Sequence, residues 1–352
     1  MKTFDKIPNI EQYLIDMKEC EQDKEYHYEG NVLIHTNMVL QEVEKLSICE
    51  DDKEILRYAA ALHDIGKPYC SELIDGHIRS HGHSRKGYHI AMQLLENVNI
   101  SLNDKIQICH LILNHGKPGW IIDKKDPIRG VIEMSMMCRL DLLYYLCRCD
   151  VLGRICTDGE DLLTNLEYFK EYAIEHDCFY SPFNFSTEII KYNYLVKQTH
   201  HYSDISFDDT KSKVYMVCGL PGSGKDYYIK KNMLNLPVIS LDNIRNELKI
   251  KPTSEQGIVI QTAKERARQY MRKGEDFIWN ATNITAQLRN TLISLFNDYN
   301  SYITIIFVNK PLNKILTQNK NRDTMIPENV IIKLHKKMEI PTDLECHKLI
   351  IV

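Results

Sequence analysis

Nowhere in the 352 residues do apolar side chains run on for the roughly 18 positions that a membrane-spanning helix needs, which argues against a membrane-inserted chain. The opening stretch, MKTFDKIPNI, lacks both an apolar run and a small-residue cleavage site, so the expectation is a cytoplasmic protein without a secretory signal. Cysteine pairs of the CxxC type are missing as well. The 11 cysteines are an odd number spread from Cys20 to Cys346, with only Cys147 and Cys149 close together, which argues against a disulfide framework or a zinc knuckle. Internal repeats and low-complexity tracts are not evident, and ordinary folded domains are left. Neither charge sign dominates, at 44 Lys and Arg against 48 Asp and Glu, but the balance is uneven along the chain. From Phe207 onward 22 Lys and Arg stand against 15 Asp and Glu, an excess of 7 positive charges, and the part before it carries a net −11. This asymmetry suits a phosphate-rich ligand on the C-terminal part.

What is present falls into two parts, as the length, roughly twice that of one domain, also suggests. Up to about Tyr168 the apolar spacing is helical. In NVLIHTNMVLQEVEKL the residues Val32, Val39, Val43 and Leu46 form one stripe, and His35 lies on it, so that a polar ring faces the core. Further helices are expected over 54–63, 84–97, 104–115 and 131–150, separated by Gly66-Lys67-Pro68 and Gly116-Lys117-Pro118. Beyond a polar linker at 203–212, short apolar strands at 214–218, 238–241, 277–279, 302–308 and 349–352 alternate with amphipathic helices. The expected fold is an all-α domain over 1–205 followed by an α/β domain with a parallel sheet over 206–352.

Nine of the 14 histidines lie between residues 27 and 115, a crowding that asks for a chemical reason. His63 and Asp64 are adjacent at the end of an apolar helix stopped by Gly66 and Pro68, so both side chains can project toward one point. Imidazole with carboxylate suits a divalent transition metal such as Mn²⁺, Ni²⁺, Co²⁺ or Zn²⁺. Asp150 follows Leu143 and Cys147 at helical spacing, which puts a carboxylate on a buried face, and a metal would offset the cost of burying it. His115, before Gly116, and His83, after Gly82, can complete a second metal position. His81, His89 and His110 compete for these roles, whereas His27 and His77 read as surface residues. Lys67, three residues past Asp64, is placed to reach a substrate phosphate. A divalent ion there acidifies water for attack on phosphorus and neutralises charge on phosphate oxygens, so phosphoester hydrolysis is the expected reaction.

In VYMVCGLPGSGKDYYIKK the run Gly219-Leu220-Pro221-Gly222-Ser223-Gly224-Lys225 lies between a strand and a helix. Glycines there free the backbone to wrap a phosphate, helix N-terminal amides point at it, and Lys225 adds a mobile positive charge, which together make an ATP site. The next residue, where Ser or Thr usually contacts Mg²⁺, is Asp226, which either ligands the ion or points away. The second strand ends in Ser240-Leu241-Asp242-Asn243-Ile244-Arg245, where Asp242 is either a general base for an attacking hydroxyl or a helix cap. Arg245, one turn on, is positioned to hold a substrate phosphate. The third strand ends in WNATN, with Asn280 where many phosphate-loop proteins carry an acid. Arg322, with Lys320, sits in a polar stretch that suits a lid over the γ-phosphate.

The pattern His35, His63-Asp64, Asp150 resembles the HD phosphohydrolases, and LHDIGKP followed by GHIRSHGHSRKG is similar to the HD domains found with tRNA nucleotidyltransferases. That resemblance implies that these four residues bind metal, with His83 and His115 as the extra ligands of two-metal enzymes. Residues 219–226, the SLDNIR segment and Arg322 resemble the phosphate-loop polynucleotide 5′-kinases. In this order the chain resembles the bifunctional HD-domain/polynucleotide kinase family of bacterial RNA end-healing enzymes, over almost everything except 1–25 and about 165–205. The family resemblance implies removal of 2′,3′-cyclic and 2′-phosphates by the first domain and phosphorylation of 5′-OH RNA by the second, with ATP and Mg²⁺. No KxDG ligase motif occurs, so sealing would fall to a separate RNA ligase. Two other readings share these residues: an HD nucleotidase fused to a small-molecule kinase, and a regulatory ATP-binding module that gates the HD site.

Overall fold

Residues 3–199, 201–233, 235–251, 254–321 and 325–352 are described by the computed structural model, and the chain divides into two units, Met1–Asn184 and Phe185–Val352. The first unit is helical: α1 (Glu11–Glu19), α2 (Val32–Lys45), α3 (Glu50–Leu62), α4 (His83–Leu94), α5 (Leu102–Asn114), α6 (Pro127–Ser135), α7 (Leu140–Leu152) and α8 (Gly159–Glu175). Side chains at the helix starts accept otherwise orphaned amides: Asn31 from Ile34, Ser101 from Asp104, Asp126 from Arg129. The apolar stripe of α2 is buried at Val32, Val39 and Val43; α2 packs on α3 and α7, where Leu56, Leu62, Leu143 and Leu146 are buried as well.

Two features depart from the sequence reading. The helix expected over 131–150 is broken between α6 and α7, where Arg139 takes an extended backbone. Its amide donates to Gln107 Oε1 at 3.2 Å and its guanidinium clasps Asp52 and Asp141 at 2.6 Å each, so a polar node stops the helix inside a continuous apolar pattern. The unit also holds a hairpin, β1 (Glu72–Ile74) paired antiparallel with β2 (His77–Arg79). Its turn, Asp75-Gly76, takes positive φ at both positions, as an Asp-Gly turn of the primed kind requires. That dipeptide was the available signal, but strands of three residues show no period.

The second unit comprises α9 (Glu188–Tyr192), β3 (Ser212–Cys218), α10 (Lys225–Asn232), β4 (Val238–Ser240), α11 (Leu241–Leu248), α12 (Gly257–Lys273), β5 (Phe277–Asn280), α13 (Ala286–Asn297), β6 (Ser301–Phe307), α14 (Leu312–Lys320), α15 (Glu328–Lys336) and β7 (Lys348–Ile351). Its strands form one five-stranded sheet in the order β4-β5-β3-β6-β7, with every pairing parallel. The central strand β3 is where the order reverses, and in open α/β sheets ligands bind at the carboxyl ends of strands at that point. The unit begins at Phe185, about twenty residues before the expected boundary at 205/206. The reason is packing by α9: Tyr192 stacks on His347 at 3.6 Å between ring centroids and donates to Asn297 Oδ1, while Lys191 pairs with Asp343 at 2.6 Å. The composition of EIIKYNYLV gave no hint of that allegiance, because it stands before the alternation of strands and helices that marks the second unit in the sequence. Among the described residues no helix is long and apolar enough to cross a membrane.

Candidate metal centre and phosphate loop

In the first unit the structure gathers His35, His63, Asp64, His83, His115 and Asp150 into one cluster of two triads. His35 Nε2 lies 3.3 Å from His63 Nε2 and 3.0 Å from Asp150 Oδ1. His83 Nε2 lies 3.2 Å from His115 Nε2 and 3.5 Å from Asp64 Oδ1, and His115 Nε2 is 3.7 Å from the same oxygen. Asp64 joins the triads, because its other oxygen is 3.3 Å from His63 Nε2 and 3.7 Å from His35 Nε2.

The local fold fixes which nitrogen faces inward. His63, His83 and His115 each turn Nδ1 onto the backbone carbonyl three residues earlier, Ala60, Ser80 and Ile112, at 2.7, 2.8 and 2.7 Å. A carbonyl only accepts, so Nδ1 carries the proton and the Nε2 lone pair faces the centre. His35 Nδ1 faces the Glu29 carboxylate at 3.0 Å. Close backbone approaches then hold the parts together. A Cβ on Gly66 would stand 2.1 Å from His83 O, and one on Gly153 would stand 2.7 Å from Val39 N, so glycine at these positions lets α4 settle on the His63-Asp64 turn and α7 on α2.

Imidazole lone pairs facing each other at 3.2–3.3 Å repel unless a cation lies between them, and tetrahedral ligands at about 2.0–2.1 Å from an ion are spaced by about that distance. Asp64 Oδ1 and Asp150 Oδ1 are both buried and accept no hydrogen bond. Each carboxylate is anchored through its other oxygen, Asp64 to Lys67 at 2.7 Å and Asp150 to Arg154 at 2.9 Å. The residues therefore fit divalent metal. Burial alone would raise the carboxyl of Asp64, yet Lys67 and His63 hold it well below the usual range; Asp150 behaves likewise beside Arg154 and His35. Burial depresses His83 to about 4, which keeps its imidazole neutral. Burial also opposes protonation of His35, but the Asp150 and Glu29 carboxylates outweigh it and raise that imidazole.

A cleft of about 600 Å³ opens over this cluster, lined by His83, His115, Asp150, Lys67, Arg154 and Trp120 among others. Lys67 is thus part of the cluster rather than an exposed helix end; it also donates to Gln22 Oε1 at 2.6 Å. His110 belongs to the core, with Nδ1 on Met137 O at 2.8 Å and its ring stacked on Tyr88. His81 lies at the cleft wall, and neither it nor His89 joins a ligand triad among the described residues. His77 is on the rim, beside Asp23 at 3.1 Å. His27 is not the surface residue expected: its side chain is only 11% exposed, its Nδ1 is 2.8 Å from Glu29 Oε1, and its ring packs edge-on to His35. Sequence reasoning missed Glu29 and Arg154; the second could have been found four residues after Asp150, one helical turn on.

In the second unit the loop Gly219–Lys225 leaves the carboxyl end of β3 and enters α10. Gly219 adopts φ +144°, and a Cβ there would collide with Val308 O at 2.5 Å. Lys225 Nζ donates to the carbonyls of Gly219 and Leu220 at 3.0 and 2.9 Å, curling the loop around the ammonium. Asp226 accepts from Asn280 Nδ2 at 2.6 Å. Asp226, Asn280, Ser240 and Asp242 line one cleft of about 400 Å³. The cap of α11 is Ser240, whose Oγ accepts from Asn243 N, while Asp242 sits within the first turn and pairs with Arg245. Arg245 also donates to Gln256 Oε1 at 2.7 Å. Arg322 lies outside the described residues; Lys320 ends α14, exposed, 3.5 Å from Glu328. Lys310, which follows β6 and was not singled out from sequence, brings its ammonium to 3.8 Å from where a side chain on Gly224 would begin.

Fold and sites together define an HD domain joined to a phosphate-loop α/β domain. Residues 31–154 match the family model of the HD domain, and residues 214–341 match a family model described as an AAA domain. The chain is similar to the Multifunctional CCA protein of Pasteurella multocida (strain Pm70), at 28% identity over 141 residues, which is 37% of this chain and 32% of that protein. It thus spans about a third of the length of this curated relative. An HD domain implies a divalent metal, and a phosphate-loop domain implies a nucleotide with Mg²⁺.

Proposed function

We propose that the chain heals broken RNA ends, its HD domain hydrolysing 2′,3′-cyclic phosphates and 2′-phosphates and its phosphate-loop domain transferring the ATP γ-phosphate to 5′-OH RNA. The observation that carries the kinase half is the placement of Asp242: Ser240 caps α11, so the carboxylate of Asp242 is not spent on the cap, and beside its ion pair with Arg245 it lines the cleft that Asp226, the residue after the loop lysine, also lines. There it can accept the proton of an attacking hydroxyl, with Arg245 beside it for the substrate phosphate and Lys225 for the nucleotide. Arg322 would close over the γ-phosphate as a lid residue.

In the HD half, His35, His63, Asp64 and Asp150 would hold one ion and His83, His115 and Asp64 a second. Divalent metal supplies an acidified water and charge neutralisation at the phosphate. The chain's own groups do the rest. Lys67 and Arg154 keep both carboxylates ionised and face the cleft, where a phosphate oxygen can join them. Trp120, 55% exposed on the cleft wall, offers a face on which a terminal base can stack. Sealing would fall to a separate RNA ligase.

The test is to incubate an RNA bearing 5′-OH and 2′,3′-cyclic phosphate ends with the protein, ATP and single divalent ions, and to identify both termini. Conversion of both supports the proposal. Turnover of free nucleotides or sugars with neither RNA end altered would overturn it in favour of a metabolic fusion.

A further inference from the structure

Two positions in the phosphate-loop domain carry residues opposite to those usually found there. The residue after the loop lysine, ordinarily a hydroxyl, is Asp226; the end of β5, where an acid commonly stands beside Mg²⁺, is Asn280. We propose that these are one exchange: the magnesium-binding carboxylate has moved from the sheet to the first turn of α10, and Asn280 supplies the neutral oxygen that the hydroxyl would otherwise give. The inference rests on the reading of this domain as a user of Mg²⁺ and ATP.

Asn280 Nδ2 donates to Asp226 Oδ1 at 2.6 Å. A carboxylate only accepts, so this bond fixes which way round the amide lies and frees its carbonyl oxygen for another partner. That oxygen is buried in a residue 8% exposed, and it accepts no hydrogen bond. A purely structural Asp–Asn bond leaves such an oxygen unsatisfied, which is costly. Both side chains line the cleft that Asp242 also lines, on the side where the attacking hydroxyl would approach.

The charge count supports the exchange. A hydroxyl with a carboxylate carries one negative charge, and so does a carboxylate with an amide. Both oxygens are hard donors of the kind Mg²⁺ accepts. Whichever of the two positions carries it, the pair's single carboxylate has one measurable consequence. A carboxylate at the mouth of the loop repels the nucleotide phosphates unless a cation intervenes, so ATP binding itself becomes strictly metal-dependent.

The experiment uses the full chain and measures ATP affinity by calorimetry in Mg²⁺ and in EDTA, without RNA. In the parent, removing Mg²⁺ should weaken ATP binding at least tenfold. Asp226→Asn and Asp226→Ser should bind ATP alike in both conditions, to within about twofold, and more tightly than the parent in EDTA. The double variant Asp226→Asn/Asn280→Asp, which returns the carboxylate to the sheet, should regain the tenfold dependence. Parental metal dependence in both single variants overturns the exchange, as does a double variant that binds ATP without regaining it. A folded parent that binds no ATP in either condition refutes the kinase reading itself, a result distinct from the other two.

Discussion

Replacing Gly66 by alanine tests the metal centre through its scaffold rather than its ligands. The new methyl would stand 2.1 Å from His83 O and 2.7 Å from Gly87 N, and neither backbone atom can rotate away. To restore ordinary contact the first turn of α4 must retreat by roughly 1 Å. His83 travels with it, whereas its Nε2 now stands 3.2 Å from His115 Nε2 and 3.5 Å from Asp64 Oδ1. Metal–ligand distances tolerate about 0.2 Å, so the position made by His83, His115 and Asp64 should be lost. His35, His63 and Asp150 ride on α2, the end of α3 and α7, and should keep theirs. The expected outcome is a folded protein, destabilised by about 1–3 kcal/mol from overpacking, that retains one equivalent of Mn²⁺ instead of two by elemental analysis after gel filtration. Its 3′-end processing should fall roughly 10²-fold. Gly153→Ala, whose methyl would meet Val39 N at 2.7 Å and Val39 Cα at 2.8 Å, should displace α2 and cost the other ion. A folded Gly66→Ala protein with two equivalents of Mn²⁺ and parental turnover refutes the reasoning.

Three other expectations follow from the geometry. Asp242→Asn should lower single-turnover phosphorylation of 5′-OH RNA by roughly 10²–10⁴-fold with little change in ATP affinity; retention within about threefold would reduce Asp242 to a surface ion pair with Arg245. Glu29→Gln should weaken metal binding by about 10–100-fold, since Glu29 Oε1 stands 2.8 Å from His27 Nδ1 and 3.0 Å from His35 Nδ1, and a titration with competing chelator that finds parental affinity would sink this. His347 is depressed to about 3 by burial and by Lys197 and Lys191, and its Nδ1 accepts from Ile303 N at 2.9 Å, so it must stay neutral in the folded unit. Its contribution is whole above the unfolded value of 6.5 and is lost as pH falls from there toward about 3. By pH 5 the loss should be roughly 2 kcal/mol by denaturant unfolding. His347→Phe should flatten that slope between pH 7 and 5, and an unchanged slope would remove His347 as its source.

Much of this architecture was legible in the chain. The five strands of the parallel sheet were placed to within a residue or two because such strands are buried on both faces and read as short apolar runs, and Gly219–Lys225 announced itself by composition and position. The metal residues were legible one by one, through helix ends and a stripe that carried His35 inward. Their division into two triads was not, since it depends on Asp64 turning one oxygen toward each pair of rings, a matter of tertiary placement. Glu29 and His27 were missed for the same reason: they sit before α2, outside any period. Ser240 rather than Asp242 caps α11, a distinction of two residues that hydrogen-bond geometry decides and spacing does not.

The carbonyls of Ala60, Ser80 and Ile112 that hold His63, His83 and His115 belong to the peptide chain, not to side chains. This part of the centre's support is therefore silent to mutation: exchanging residues 60, 80 or 112 for others that keep the local backbone leaves every one of these bonds in place. What constrains the side chains there is something else: Ala60 and Ile112 are fully buried in the core, and Ser80 Oγ lies 2.7 Å from Ser71 Oγ. Alanine scanning would report what those side chains do in the core and say nothing of the carbonyls. Only a change to the chain itself, such as an ester in place of the peptide link, would reveal what they do.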